Sequence, residues 1–408
     1  MTRSLPLSQT RAHWWSRQRL GGAPKASLVE AIATSGWLRT LGGVDVYLAA
    51  RARHAGMKRT DLDKLVHAGE LRVVPAARGC IYLVPGSIVP DLMAWNADDF
   101  RASTKKDLEK AGKSLKDVEA IMPLVERALA KGPLSTDAIR KQLGSAIPSF
   151  GEAGKKVGLS SPLPPALRML ENAGTIERTL DGGKLDSTTY LWRKVSGKPA
   201  RPSKDPFAAI VTAFLGFAGP ATVAQIAAWS GRAQRDIKAV LAKLPVTSIA
   251  VADLGEAFVL SDQLAAVKAA KSPSGIAALA FEDNYLVNHG GLGVVSDPKH
   301  HAIEIAIWGG SKPETIGEAE HVLSRTIVVD GLVAGFWEVD PAANAAVWTT
   351  FDAAPSALAK KIDDVVQDAA RFLLDEVGHA RTYTQDSMEL VQERANRIKK
   401  RAVRKKRA

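Results

Sequence analysis

One eight-residue pattern occurs twice in the chain and constrains its fold more than any other feature. Residues 132–139 read Gly-Pro-Leu-Ser-Thr-Asp-Ala-Ile, and residues 219–226 read Gly-Pro-Ala-Thr-Val-Ala-Gln-Ile. An amphipathic helical pattern precedes each copy, and two further short helical patterns and a candidate β-hairpin follow it. This order of elements is typical of a winged helix, a compact helix-turn-helix module. Two such modules in one chain predict a tandem array.

A third module, which lacks the Gly-Pro signature, precedes the two copies. Its third helix is predicted to run to residue 68, with Thr60 as the N-cap and Gly69 as the C-terminal stop. Strand patterns follow at 71–74 and 80–84, and residues 75–79 join them as a wing. Residues 91–112 are polar and charged, and they are interpreted as a helical linker.

The pattern changes to strands beyond about residue 275. Residues 303–308 alternate as a half-buried strand does, residues 325–337 predict a hairpin with an Asp-Gly turn, and Ser356 is the predicted cap of a long amphipathic helix. The predicted fold class is α+β, with three tandem winged-helix domains followed by a small C-terminal antiparallel β domain and a long helix. The expected domains are 1–112 (winged helix 1 with an N-terminal helix and linker), 113–201 (winged helix 2), 202–272 (winged helix 3), 273–355 (β domain), 356–390 (C-terminal helix) and 391–408 (basic tail).

Charge and cysteine usage bound the class of protein. The net charge is +12, but nine basic residues and no acidic residue lie between 394 and 407, so a C-terminal tail supplies most of it. Such a tail can attract phosphates in a salt-dependent way, or it can be a solvated segment without a defined role. The single Cys80 excludes an intrachain disulfide and a Cys-based metal site. No signal-peptide or membrane-span pattern is found, so a cytoplasmic protein, nucleoid-associated when bound to DNA, is expected.

Three stretches carry a resemblance to a known family. They are residues 49–53 together with 77–85, residues 281–286 (Phe-Glu-Asp-Asn-Tyr-Leu), and residues 326–337, and they occur in the family's order across most of the chain. The chain resembles the winged-helix DNA-binding proteins that include the AlkZ-like and YcaQ-like bacterial DNA glycosylases. The resemblance implies three tandem winged helices with a C-terminal β domain, and hydrolytic removal of alkylated or crosslinked bases from DNA.

The resemblance also implies where the chemistry would lie. The family's glycosylases carry a Gln-x-Gln or Gln-x-Asp motif that positions or activates the water that attacks C1′ of a damaged nucleoside. Placed without gaps, this motif falls on Arg39-Thr40-Leu41, so it is degenerate here. Arg39 stays protonated and Leu41 cannot hold a water. A shifted placement brings in Asp45, which is either a general base or a first-turn helix residue favoured by the helix dipole.

Basic residues on the predicted third helices, wings and tail are the candidate DNA contacts. Arginine binds a phosphate bidentately, and such contacts fix a protein on the duplex without reading its sequence. The alternative for each residue is a solvated surface position or a structural ion pair. The candidates are Arg39, Arg51, Arg53, Arg78, Arg168, Lys184, Arg235, Lys238, Lys399, Lys400, Arg401, Arg404, Lys405, Lys406 and Arg407.

Several functions remain open on this sequence. The leading hypothesis is a monomer that binds double-stranded DNA and, if it is an enzyme, acts as a DNA N-glycosylase without a metal or other cofactor, with Asp45 as the nominated base. The alternatives are a non-catalytic winged-helix transcriptional regulator or damaged-DNA binder, and a protein-interaction scaffold, because one fold serves all of these functions. Release of a free alkylated base separates the enzyme from the other hypotheses.

Overall fold

The fold was analysed in a computed structural model that describes residues 4–21, 26–187, 189–197, 200–310 and 312–407, with side chains described through residue 402. About 50% of the chain is helix and 17% is strand, so the protein is a mixed helix and sheet protein, as predicted. Within these ranges no helix is both long and apolar enough to cross a membrane.

The helices vary widely in length. They are α1 (Leu7–Arg17), α2 (Leu28–Ser35), α3 (Asp45–Arg53), α4 (Arg59–Ala68), α5 (Val89–Lys110), α6 (Leu115–Glu119), α7 (Met122–Ala128), α8 (Thr136–Leu143), α9 (Gly151–Lys156), α10 (Leu163–Asn172), α11 (Pro206–Ala218), α12 (Val223–Ser230), α13 (Gln234–Leu241), α14 (Leu264–Ala269), α15 (Asn284–Val287), α16 (Leu292–Val295), α17 (Ser356–Arg371) and α18 (Met388–Arg407). A π-helical turn, Phe372–Val377, extends α17.

The strands are short, and hairpins and small antiparallel sheets contain most of them. They are β1 (Leu38–Arg39), β2 (Leu71–Pro75), β3 (Ile81–Pro85), β4 (Leu134–Ser135), β5 (Ile176–Leu180), β6 (Tyr190–Lys194), β7 (Val246–Val251), β8 (Gly255–Leu260), β9 (Ile276–Ala278), β10 (Glu304–Ile305), β11 (Glu314–Thr315), β12 (Arg325–Val329), β13 (Leu332–Asp340) and β14 (Ala345–Thr350). Hairpins β2–β3 and β7–β8, a three-stranded sheet β4-β6-β5 and a four-stranded sheet β14-β13-β12-β9 result.

The repeated eight-residue pattern marks the start of a helix in both of its copies. The side chain of Ser135 accepts a hydrogen bond from the backbone N–H three residues on and so caps α8, and Thr222 caps α12 in the same way. The isoleucine that ends each copy, Ile139 or Ile226, is fully buried. The repeat therefore encodes a helix cap followed by a core residue.

The chain divides into two compact units. The inserted unit is Val66–Ile210, and the split unit is formed by Met1–Leu65 together with Val211–Ala408. The core of the inserted unit is one cluster contributed by α5 to α8, α10 and the sheet β4-β6-β5, and it includes Leu108, Val118, Val125, Ile139, Leu163, Leu167, Ile176 and Trp192. Burial of such side chains contributes roughly 1.5–3 kcal/mol each.

The split unit is built on the four-stranded sheet. The Asp330-Gly331 turn between β12 and β13 has positive φ at both residues, 48° and 78°, as a type I′ turn requires, and this confirms the predicted hairpin. Helix α1 packs its Trp14 and Trp15 into the same core, where Trp14 stacks on His289 with ring centroids 4.0 Å apart. The split unit thus joins the N-terminal helices to the C-terminal sheet.

Three local predictions were wrong. The segment 91–112 is largely helical, as predicted, but it is not a linker, because this part of α5 buries Leu92, Met93 and Trp95. Thr60 lies inside α4 rather than at its cap, since the helix begins at Arg59. Of residues 303–308 only Glu304–Ile305 form a strand.

The predicted basic tail was 391–408, but residues 391–407 form the greater part of α18. Val391, Ala395 and Ile398 recur at helical spacing and are buried against the split unit, so this face of the helix packs rather than lying in solvent. Because basic residues dominate this segment, its apolar stripe of small and medium side chains was not recognised in the sequence. The predicted helix 356–390 is divided into α17, its π-helical turn and the start of α18.

Candidate active site

Residues 281–284 attach to the segment 37–53 within the split unit. Each of the four consecutive residues makes at least one polar link to that segment. The links are Phe281 N–H to Asp45 Oδ1 at 2.8 Å, Arg39 Nη1 to Glu282 Oε2 at 3.1 Å, Arg53 Nη2 to Asp283 Oδ1 at 2.8 Å, and Asn284 Nδ2 to the Trp37 carbonyl at 2.8 Å. The stretch 281–286, which carries part of the family resemblance, therefore holds the segment 37–53 in place.

Asp45 lies in the first turn of α3 and is buried, with 7% of its surface exposed. Its carboxylate receives a bidentate pair from Arg325, with Nε to Oδ1 and Nη2 to Oδ2 both at 2.9 Å, in addition to the N–H of Phe281. Bidentate arginine pairs are among the strongest hydrogen-bonded contacts in proteins. Both carboxylate oxygens of Asp45 are thus engaged inside the protein.

Arg325 continues this pair into a buried ionic network. Its guanidinium also contacts Glu338, which accepts from Arg394 Nε at 2.7 Å, and Arg394 in turn pairs with Asp386 at 2.8 Å. Burial alone would lower the pKa of Arg325, but the Asp45 and Glu338 carboxylates raise it above its ordinary value. Removing one member would leave an uncompensated buried charge, so the network is costly to break.

Arg53, at the C-terminal end of α3, is fully buried with Asp283. Its Nη1 and Nη2 reach the two carboxylate oxygens of Asp283 at 2.9 and 2.8 Å, and the same groups donate to the Ala49 carbonyl and to Gln18 Oε1. Such an arginine joins α3, α1 and the 281–284 segment. It presents no charge to solvent.

Arg51, two residues before Arg53, is less buried, with 20% of its side-chain surface exposed, but it also has partners in the protein. It donates to the Met57 carbonyl at 3.0 Å and to Asp368 at 2.9 Å, and its guanidinium carbon lies 4.7 Å from the centre of the Phe372 ring. Its side chain lines a cavity of about 630 Å³ beside α3. Arg51 and Arg53, both candidate DNA contacts, are therefore already paired with carboxylates of the protein.

Glu282 carries the most unusual backbone in this region. It is not a glycine yet has a φ of +54°, a conformation that costs free energy and is often found at functional sites. Its buried carboxylate accepts from Arg39 at 3.1 Å, from His321 Nδ1 at 2.6 Å and, through the other oxygen, from the Val322 N–H at 3.1 Å. The imidazole of His321 is partly exposed, with 36% of its side-chain surface accessible.

The two ends of the degenerate motif have different surroundings. Arg39 ends strand β1, its side chain is 9% exposed, and it pairs with Glu282. The Leu41 carbonyl accepts hydrogen bonds from the N–H and hydroxyl of Thr384, at 2.8 and 3.0 Å. Leu41 is thus held by its backbone and offers no polar side chain.

The remaining candidate DNA contacts divide sharply by exposure. Arg168 in α10 is largely buried over the Phe100 ring, and burial lowers its pKa to about 10. By contrast, Arg78 and Lys184 are exposed in the turns of hairpins β2–β3 and β5–β6. Arg235 and Lys238 are exposed on α13, and the side chain of Arg235 is 89% accessible.

The basic residues of α18 also differ from one another. Lys399 is half exposed and pairs with Asp340, while Arg401 lies over the Phe336 and Phe351 rings at 5.8 and 5.7 Å. Lys400 is exposed. The side chains of Arg404, Lys405, Lys406 and Arg407 fall outside the described residues.

Sequence reasoning had not selected Glu282, His321 or Arg325 as site residues. Glu282 was part of a recognised stretch, but nothing in the sequence indicated that it would meet residue 39, which is 243 positions away. The only feature of the sequence that points to Glu282 is its position directly before Asp283 in that stretch. Within the described ranges no three His, Cys, Asp or Glu side chains are grouped as metal ligands would be.

Comparisons with known proteins agree with this architecture. A model of the family described as DNA glycosylase AlkZ-like matches residues 43–372. The structure is similar to that of the Streptomyces sahachiroi DNA glycosylase AlkZ, with a TM-score of 0.70 and 18% identity over 93% of this chain and 98% of that one, a likeness that shows the fold alone. No curated protein sequence matches this chain. Because the family model covers most of the sequence, the chain belongs to the AlkZ-like DNA glycosylase family, which supports a DNA glycosylase-type function in DNA repair with DNA as the partner.

Proposed function

We propose that the protein is a monofunctional DNA N-glycosylase that removes alkylated bases from double-stranded DNA by hydrolysis. The observation that carries this proposal is the polar cluster at the degenerate motif. Arg39 replaces an expected glutamine, but it brings with it the buried Glu282 carboxylate and the partly exposed His321 imidazole. Groups that can orient or deprotonate a water therefore remain at this position.

The scaffold we propose for binding DNA is a set of three winged helices. In the inserted unit, the sheet order β4-β6-β5 pairs the strand before α8 with the strand after the wing, which is the winged-helix arrangement. In the split unit, Ala221 bridges to Phe258 in the same manner before α12. These two pairings support the tandem arrangement that the repeat predicts.

The DNA contacts we propose are the exposed basic residues of this scaffold. Arg78 and Lys184 stand at hairpin turns and Arg235 and Lys238 on the third helix of their module, positions from which phosphates can be reached. Arg39, Arg51, Arg53 and Arg168 are withdrawn from this set, because each is largely buried or already paired with a carboxylate of the protein.

We propose a structural role for Asp45 in place of the general base suggested by its sequence position. A general base needs an oxygen that can accept a proton from the attacking water. Both oxygens of Asp45 accept from Arg325, and one also accepts from the Phe281 N–H. The carboxylate is thus occupied by the charge pair that joins α3 to β12.

The second candidate function is non-catalytic recognition of damaged DNA. It is favoured by one observation, the apolar Leu41 at the second polar position of the motif. A protein that kept the scaffold without the water site would bind a lesion duplex without releasing a base.

Base release separates the two candidates. Purified full-length protein is incubated in excess over a duplex that contains a single N7-methylguanine, and free base is quantified by mass spectrometry. The proposal predicts release of the free base together with an abasic site that is cleaved by alkali. Tight binding of the duplex without any release would replace the enzyme with the non-catalytic binder. Binding that does not weaken as salt rises would contradict both, since phosphate contacts release counterions.

A further inference from the structure

Two histidine–carboxylate pairs of the split unit, both among its described residues, are built in opposite ways. In the first, His300 is 10% exposed while its partner Asp352 is 59% exposed. In the second, Glu282 is fully buried while its partner His321 is 36% exposed. The second arrangement leaves the imidazole at the surface and the carboxylate behind it.

The buried Glu282 carboxylate determines which nitrogen of the partly exposed His321 ring carries the proton. Glu282 Oε2 lies 2.6 Å from His321 Nδ1, and its other oxygen is held by the Val322 N–H. A carboxylate acceptor places the ring proton on Nδ1, so that Nε2 is the nitrogen that carries a lone pair. The same carboxylate stabilises the imidazolium that forms when Nε2 takes up a proton.

The backbone of Glu282 suggests that this geometry is held at a cost. A φ of +54° is unfavourable for a glutamate, and the surrounding links at Phe281, Asp283 and Asn284 hold the segment on both sides of it. The guanidinium of Arg39 also pairs with the Glu282 carboxylate. The charge of Glu282 is therefore compensated even when the His321 imidazole is neutral. The backbone conformation of Glu282 is thus held by the contacts of its neighbours and not by the intrinsic preference of the residue.

We propose that His321 is the water-activating residue of this protein and that Glu282 positions it, an inference that rests on the proposed glycosylase function. The Nε2 atom of His321 accepts a proton from the attacking water, whose oxygen forms a bond to C1′ of the damaged nucleotide. The C1′–N9 bond breaks, and its electron pair goes to the departing base. An N7-alkylated guanine carries a positive charge, so it leaves as a neutral base without needing a further proton. The proton on His321 then returns to solvent.

The test compares base release with duplex binding in full-length variants. Single-turnover release of N7-methylguanine is measured for the wild type, His321→Ala, His321→Gln and the control His67→Ala, which removes an exposed histidine of α4. We expect both His321 variants to lose about 100-fold in rate, the usual effect of removing a general base. Their affinity for the lesion duplex stays within about twofold of wild type, and His67→Ala keeps the full rate.

Added imidazole distinguishes a reactive group from a structural one. Because His321 is partly exposed, we expect imidazole in solution to restore part of the rate of His321→Ala and none of that of His321→Gln, in which the amide fills the site. Glu282→Gln should lower the rate without changing duplex affinity, since it acts through the ring.

The outcomes separate this inference from the proposed function. If the wild type releases base and His321→Ala releases it equally fast, the assignment of His321 fails while the glycosylase function stands. A loss of rate that imidazole does not restore, together with a loss of duplex affinity, assigns His321 a structural role and overturns the inference. If the wild type itself releases no base, the proposed function fails, and the inference fails with it.

Discussion

Among the described arginines, some are fully buried and others are exposed, and the sequence does not distinguish the two groups. In the split unit, Arg53 and Arg325 have no exposed side-chain surface and each meets a carboxylate bidentately. On the turns and on α13, Arg78 and Arg235 are exposed, and the only ion pair described for Arg235 is to its neighbour Asp236. A buried arginine stabilises the fold at the cost of its hydration, whereas an exposed one remains available to an anionic partner. Burial rather than residue type therefore assigns the role.

The largest expected effect comes from breaking the buried network. Arg325→Ala leaves Asp45 buried without its cationic partner and Glu338 with Arg394 alone, so we expect the free energy of unfolding to fall by about 3–5 kcal/mol. Denaturant unfolding of the full-length protein measures this change. The matched control Arg235→Ala removes an exposed arginine and should change stability by less than about 0.5 kcal/mol. Equal losses of stability in the two variants would contradict the distinction between buried and exposed arginines.

Buried and exposed histidines differ in the same way, and the buried ones make the free energy of unfolding depend on pH. Burial lowers the pKa of His13 and of His289 to about 4, with Arg17 adding to the effect at His13. Between about pH 6.5 and pH 4 the unfolded chain binds protons on these residues that the folded chain does not. Stability is therefore full above pH 6.5 and falls on acidification, by roughly 1.4 kcal/mol per pH unit for each histidine.

A variant separates the contribution of His289 from that of other acid-sensitive groups. His289→Phe keeps a ring against Trp14 but cannot take up a proton, so we expect the dependence of the unfolding free energy on pH to become shallower across this window. Replacement of the exposed His67 by Gln should leave the pH dependence unchanged. A pH dependence as steep in His289→Phe as in the wild type would show that its burial has no effect on stability.

Local features of the fold could be predicted from the sequence, whereas the long-range pairings could not. Helix caps and tight turns depend on neighbouring residues, so they can be recognised in the sequence. Examples are the caps at Ser135 and Thr222 and the Asp330-Gly331 turn. Asp45 meets Arg325 across 280 positions, and several arginines were equally plausible partners. The sequence thus located the motif region but not the groups that gather there.

The smallest expected effect concerns the exposed group. Arg235→Ala/Lys238→Ala should weaken duplex binding and reduce the slope of log K against log salt by about 0.9 for each phosphate that the protein no longer neutralises. The control Lys105→Ala/Lys110→Ala removes the same charge from exposed positions of α5. Fluorescence anisotropy over a salt series measures both slopes. A slope that changes equally in the two variants would indicate net charge alone and would exclude α13 as a DNA-binding element.

The Asp45→Asn variant tests most directly whether the buried charges near the motif are structural. The account predicts a lower free energy of unfolding, because the amide cannot match the Arg325 pair, together with a single-turnover rate of N7-methylguanine release, per folded molecule, within about twofold of wild type. The two quantities are measured on the same preparation. A stable, folded Asp45→Asn protein whose release rate has fallen about 100-fold would contradict the account and would return the role of general base to Asp45.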